Sequence, residues 1–185
     1  DYASAGSCTD MYNRATDVGN RFHDKSPVPL YYTWGNHEQE SVEGTRSTGQ
    51  CDSSTIQSNL GMASVNQTWV NGQYRFVTIG TNYKKDSDNS NGQFKVRPSS
   101  IEWLNTTLRN SERPVIISTH TPLDEHDDAG DTYQRVRNRD EVNQVISNAG
   151  NVVTVLANHD HNGQSNSLNA TWKCGSSDLS VCKDD

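Results

Sequence analysis

Two short stretches, far apart in the chain, carry the residues best suited to chemistry: Gly35-Asn36-His37-Glu38 and Asn158-His159-Asp160-His161-Asn162-Gly163. Each follows an apolar run, Pro29 to Trp34 in the first case and Val152 to Ala157 in the second. A third run, Pro114 to Thr119, ends directly at His120. A turn after a strand explains a Gly and an Asn, but it does not call for a His and a Glu straight after them. Four of the six histidines stand at these three ends. Imidazole is a good ligand for zinc, iron and similar divalent ions, and an amide oxygen is a harder partner that completes such a set. In His159-x-His161, alternate residues of an extended segment point to one side. If the peptide turns there instead, the two rings can serve two neighbouring metals. Two metals about 3.5–4 Å apart hold a phosphate, lower the pKa of a bound water and neutralise a leaving oxygen. The bland alternatives are an exposed His after a strand-end turn at Asn36-His37, a hydrogen-bonded strand-end His at position 120, and a polar turn before Gly163.

These residues must be positioned by regular elements. Met11, Ala15, Val18 and Phe22 recur at spacings of four, three and four, one apolar stripe on a helix, with Thr9 or Asp10 as its cap. Val28 to Trp34 reads as a short strand. Residues 39–64 are polar and read as a long loop tied by Cys51. The stretch from Gln67 to Gly80 reads as two strands around Asn71-Gly72, a strong hairpin signal. Ile101, Leu104 and Leu108 share a helical face, capped by Ser99 or Ser100. Val115 to Thr119 is a continuous apolar run typical of a strand buried on both faces. A helix with Val142, Val145 and Ile146 inward follows, with Gly150 as its C-terminal cap. Val152 to Ala157 is a second continuous apolar strand, and a third lies around Ser167 to Cys174. Alternating helices and buried strands imply a single α/β domain over residues 1–185, a layered sheet flanked by helices. Ligands of open α/β sheets sit just outside the carboxyl ends of strands, where the four histidines fall.

The 185 residues suit one domain. Hydrophobic residues make up only 31% and mean hydropathy is -0.88, so the apolar residues form a core only because they come in compact runs. A net charge of -7 argues against binding to a nucleic-acid backbone, which needs a basic face. No stretch is long and apolar enough to span a membrane, and the start at Asp1 reads as a processed or trimmed chain.

Gly-Asn-His-Glu, a His closing a strand, and a terminal His-Asp-His-Asn-Gly together resemble the calcineurin-like metallophosphoesterase family, including its purple acid phosphatase branch. That family carries five ordered motifs: Asp-x-His, Gly-Asp, Gly-Asn-His-Asp/Glu, a strand-end His, and Gly-His-x-His. Three occur here in the family's order, across about residues 10 to 165, and the helix and strand before His120 also look like the family's. The resemblance implies a metal-dependent phosphoesterase acting on a phosphoester through a metal-activated water. It implies two metal ions, zinc, iron or manganese. It assigns Asn36, His120 and His159 to one metal and His161 to the other, with His37 contacting phosphate and protonating the leaving oxygen. The chain departs from the family pattern in three ways. No Asp-x-His precedes Gly35, Gly-Asp is at best half present, and Asn158 stands where the family has Gly. Asp1, 35 positions before Asn36, is either the bridging carboxylate or an ordinary terminal Asp. The departures open a second reading: a catalytically degenerate extracellular structural protein on the same scaffold. Its sheet would then be completed by a strand from another subunit, giving a homo-oligomer or filament.

Four cysteines, Cys8, Cys51, Cys174 and Cys182, show no Cys-x-x-Cys zinc pattern. Cys174 and Cys182 read as a small disulfide loop, leaving Cys8 for Cys51, although three connectivities are open. Sequons at Asn66, Asn105 and Asn169 support an oxidising, secreted setting. The run Asp124-Glu125-His126-Asp127-Asp128 reads as a solvated acidic loop, and His23 and His126 as solvated histidines. Trp34, Trp69, Trp103 and Trp172 read as core residues.

Overall fold

Helix α1, Cys8–Val18, opens the structure and runs into one π-helical turn, Gly19–His23. The computed structural model describes residues 8–23, 25, 29–35, 53–81, 94–123 and 136–157. A second helix, α2, covers Ser53–Asn59, inside the stretch expected to be a loop. Its Ile56 is fully buried and followed by buried Leu60 and Met62, an apolar set too short and too flanked by Ser and Gln to stand out in the sequence. The hairpin follows as β1 (Gln67–Asn71) and β2 (Tyr74–Ile79), then α3 (Pro98–Arg109), β3 (Val115–Thr119), α4 (Arg139–Ala149) and β4 (Val152–Leu156).

The four strands form one sheet in the order β1-β2-β3-β4. The β1–β2 pair is antiparallel, and its turn has Gly72 at φ 58°, a backbone state glycine reaches without strain. The β2–β3 and β3–β4 pairs are parallel, with α4 crossing between β3 and β4. On one face Val77, Ile79, Val115, Ile117, Val152 and Val155 bury against Leu104 and Leu108 of α3 and Val142 and Ile146 of α4. This is the main core. Helix α3 starts at Pro98 with Arg97 as its N-cap and no side-chain cap bond, so neither Ser99 nor Ser100 caps it. Pro98 supplies the start, because its fixed φ suits the first helical turn. Helix α4 ends at Gly150, φ 69°, in the left-handed state expected of it.

The expectation of strands buried on both faces needs correcting. Along β3 full burial alternates with half burial, and in β4 Val153 is 42% exposed. A register shift opposite Val115/Ile116 lets Val152 and Val155, three residues apart, face the same core. The run from Pro29 to Gly35 is also not a sheet strand among the described residues. It is extended chain laid over the other face of the sheet. Trp34 is buried and Tyr32 packs beside it, against Ala15 of α1 and Ile56 and Leu60 near α2. Tyr31 and Thr33 point the opposite way, onto the sheet. The layers are therefore α3/α4, sheet, residues 29–35, and α1/α2. The turn that follows α1 meets the end of α2 at Gly19, where a Cβ would run into the backbone carbonyl of Asn59, so only glycine permits this approach.

Asparagine side chains do much of the pinning in this polar chain. Asn138 takes a hydrogen bond from the Val96 N–H (2.9 Å) and gives one to the Val96 carbonyl (2.9 Å), standing in for a strand partner. Asn151 donates to the carbonyls of Leu108 and Ser111 at the end of α3. Asn66 accepts from the Gly80 N–H (3.1 Å) and donates to Ser100 Oγ (2.8 Å). The Asn66 amide is thus part of the fold, and a glycan would replace one of the two hydrogens on the nitrogen that bonds Ser100.

Candidate metal centre

Three chain segments reach the same pole of the sheet. Leu156 of β4 lies beside Ser118 of β3, so Ala157 and Thr119 leave their strands at one level. Residues 29–35 arrive there from across the face. The Tyr31 ring stacks on Trp69 of β1, centroids 3.6 Å apart and planes 1° from parallel. Trp69 is level with Phe76 and Ile116. Two residues on, Thr33 Oγ1 hydrogen-bonds Ser118 Oγ at 2.9 Å, and Ser118 is two residues further along β3. The segment therefore advances in the direction of β3, at about 3.3 Å per residue, and Gly35 leaves at the level of His120. By this register Gly35, His120 and Ala157 lie toward one end of the sheet.

His120 has a stiff mount. Thr119 and Thr121 flank it, and both are buried. Thr119 Oγ1 donates to the Thr121 carbonyl (3.0 Å), and the Thr121 N–H donates to Thr81 Oγ1 (3.0 Å), itself fully buried just beyond β2. The half-buried imidazole thus stands on a turn whose backbone is tied on both sides. These threonines escaped the sequence reading. The one available signal was a hydroxyl residue on each side of His120.

The face under residues 29–35 is unusually polar for an interior. Gln67 Oε1, Thr78 Oγ1 and Thr154 Oγ1 are buried there without a hydrogen-bond partner among the described residues. The Tyr32 hydroxyl in the layer above shares that state, and burial raises its pKa above the ordinary 10.0. The neutral phenol is the form the fold keeps, so the folded chain holds its proton at pH values where the unfolded chain has released it. Stability from this group is present below pH 10.0 and is lost as pH rises through the raised value. Tyr32→Phe removes an unmatched hydroxyl, so we expect it to be neutral or to stabilise by up to about 1 kcal/mol and to flatten the alkaline decline. Denaturant melts at pH 8 and above 10 check this. A clear loss of stability in Tyr32→Phe would show that the hydroxyl has a partner.

Of the sequence-predicted site residues, His120 lies among the described residues, directly after β3. Asn36, His37, His159, His161 and Asp1 lie outside the described residues, as do Asn158, His126 and the side chains of His23 and the four cysteines. Among the described residues no group of three or more His, Cys, Asp or Glu comes together, and His120 is the one candidate ligand they include. His120, at this pole, offers an imidazole, a donor type that suits a divalent metal. Trp34 is core as expected, Trp103 packs against the main core, and Trp69 is stacked between Tyr31 and Phe76.

A mixed sheet flanked by helices, with a histidine at the exit of a central parallel strand, is consistent with a metallophosphoesterase-like fold. Residues 1–163 match the family described as calcineurin-like phosphoesterase, and the chain belongs to that family. It is also similar to the manganese-dependent ADP-ribose/CDP-alcohol diphosphatase of Xenopus laevis, with 24% identity over 193 aligned positions, covering 76% of this chain and 54% of that protein. The chain thus spans about half the length of this curated relative. No helix among the described residues is long and apolar enough to cross a membrane.

Proposed function

We propose that this chain hydrolyses a phosphate ester or a diphosphate at a metal centre built where residues 29–35, β3 and β4 end. The observation that carries this is the common level of Gly35, His120 and Ala157, fixed by the Thr33–Ser118 bond and the Ser118–Leu156 pairing. Asn36 follows Gly35 by one peptide bond, and His159 follows Ala157 by two, so their amide and imidazole start from the pole that His120 already occupies. Asn36, His120 and His159 would hold one metal and His161 a second, with Asp1 as a candidate carboxylate ligand. Bound there, the metals supply a water of lowered pKa and positive charge for the phosphate oxygens. His37 would contribute an imidazole able to bind a phosphate oxygen and pass a proton to the leaving oxygen. Manganese is the first metal to try and ADP-ribose the first substrate, because the Xenopus relative is named for both. An extracellular setting is supported by the four cysteines and the Asn169 sequon.

The experiment follows release of phosphate or nucleotide from ADP-ribose and from a chromogenic phosphomonoester, with Mn2+ or with a chelator. Turnover with Mn2+ that disappears in His37→Ala is the expected outcome. No metal uptake and no turnover, with oligomers by light scattering, would instead support an assembly protein on the same scaffold.

A further inference from the structure

We infer that Thr33 and Ser118 are positioning residues of this centre: their hydroxyl–hydroxyl bond fixes Gly35-Asn36-His37 relative to His120. The inference rests on the metal-centre reading above. The two oxygens are 2.9 Å apart and half-buried, and either can donate. Thr33 is two residues before Gly35, and Ser118 is two residues before His120. Ser118 also pairs with Leu156, two residues before Asn158. One side chain therefore stands at the junction of all three segments that carry the motifs.

The contact of Tyr31 with the sheet does not fix register in this way. The Tyr31–Trp69 stack is flat, with planes 1° apart, and stacked rings slide past each other at little cost. On the other side, Trp34 and Tyr32 pack into an apolar cluster, and apolar packing is non-directional. A hydrogen bond has a preferred length and direction. Ser118 is also the odd residue in Val115-Ile116-Ile117-Ser118-Thr119, where β-branched residues favour the strand and serine does not. A hydroxyl in a partly buried place costs stability unless it is matched, and Thr33 matches it. A metal centre needs its ligands held to within about 0.5 Å, and a slide of residues 29–35 along the sheet would shift Gly35, and the chain that continues from it, relative to His120.

The test uses the whole protein and reads Mn2+ affinity by calorimetric titration, with melting temperature measured alongside. Thr33→Val keeps the shape and removes the hydroxyl, and it should weaken Mn2+ binding about tenfold. Thr33→Ser should retain wild-type affinity. Ser118→Ala should match Thr33→Val, and the double variant should be no worse than either single one, because both remove the same bond. If Thr33→Val does not fold, Ser118→Ala gives the reading. A lower melting temperature with Mn2+ affinity indistinguishable from wild type would overturn the inference and leave the bond a purely structural one. Failure of the wild-type protein to bind Mn2+ would overturn the metal-centre reading itself, and the inference with it.

Discussion

Replacing His120 with alanine should weaken Mn2+ binding by about a hundredfold or more and take turnover down with it. Removal of a residue that merely supports a ligand costs 10–100-fold in affinity or activity, and His120 is argued here to be a ligand itself. The fold should survive the change. His120 is half-buried, and the backbone on either side is held by Thr119, Thr121 and Thr81. A calorimetric Mn2+ titration with a parallel thermal melt separates the two effects. Wild-type affinity in His120→Ala would remove this histidine from the centre and leave it a strand-end residue.

Leu104→Ala should be the most damaging truncation away from the site, with a loss of about 2–5 kcal/mol. Leu104 is fully buried in α3 and belongs to the core shared with α4 and with β2, β3 and β4. Helices on one side and the sheet on the other leave little room to collapse around the hole. Ile101, one turn earlier and only partly buried against the same core, should lose clearly less on the same change. Urea unfolding gives both numbers through the midpoint at an unchanged slope. Equal losses at the two positions would mean that α3 does not lie on the sheet as described.

Much of this arrangement was legible from spacing alone. The stripes of α3 and α4, the Gly72 hairpin, the Gly150 cap and the parallel strand leading to His120 each follow from a local rule. What stayed hidden depended on contacts between distant segments. Residues 29–35 read as a sheet strand because their alternation is real: Tyr31 and Thr33 face one way, Tyr32 and Trp34 the other. Alternation reports two environments, however, and does not say whether the backbone is paired with a sheet or laid over one. The burial of β4 was overestimated because a bulge puts Val152 and Val155 on one face and leaves Val153 exposed, which no period of two anticipates. Helix α2 was missed because its stability comes from packing Ile56 and Leu60 under α1 and Trp34 rather than from its own sequence. At the site, the residue types named the chemistry, whereas the Thr81–Thr121 tie and the Thr33–Ser118 bond needed three-dimensional proximity across 40 and 85 positions of chain.

The central claim is that one metal centre gathers residues from three distant segments at one pole of the sheet. A crystal structure of the Mn2+-loaded protein, with the metal located by its anomalous scattering, tests it most directly. The predicted result is a manganese peak bonded to the His120 imidazole, with the Asn36 amide oxygen and the His159 imidazole completing its shell. A manganese peak elsewhere, with His120 turned to other partners, would contradict it.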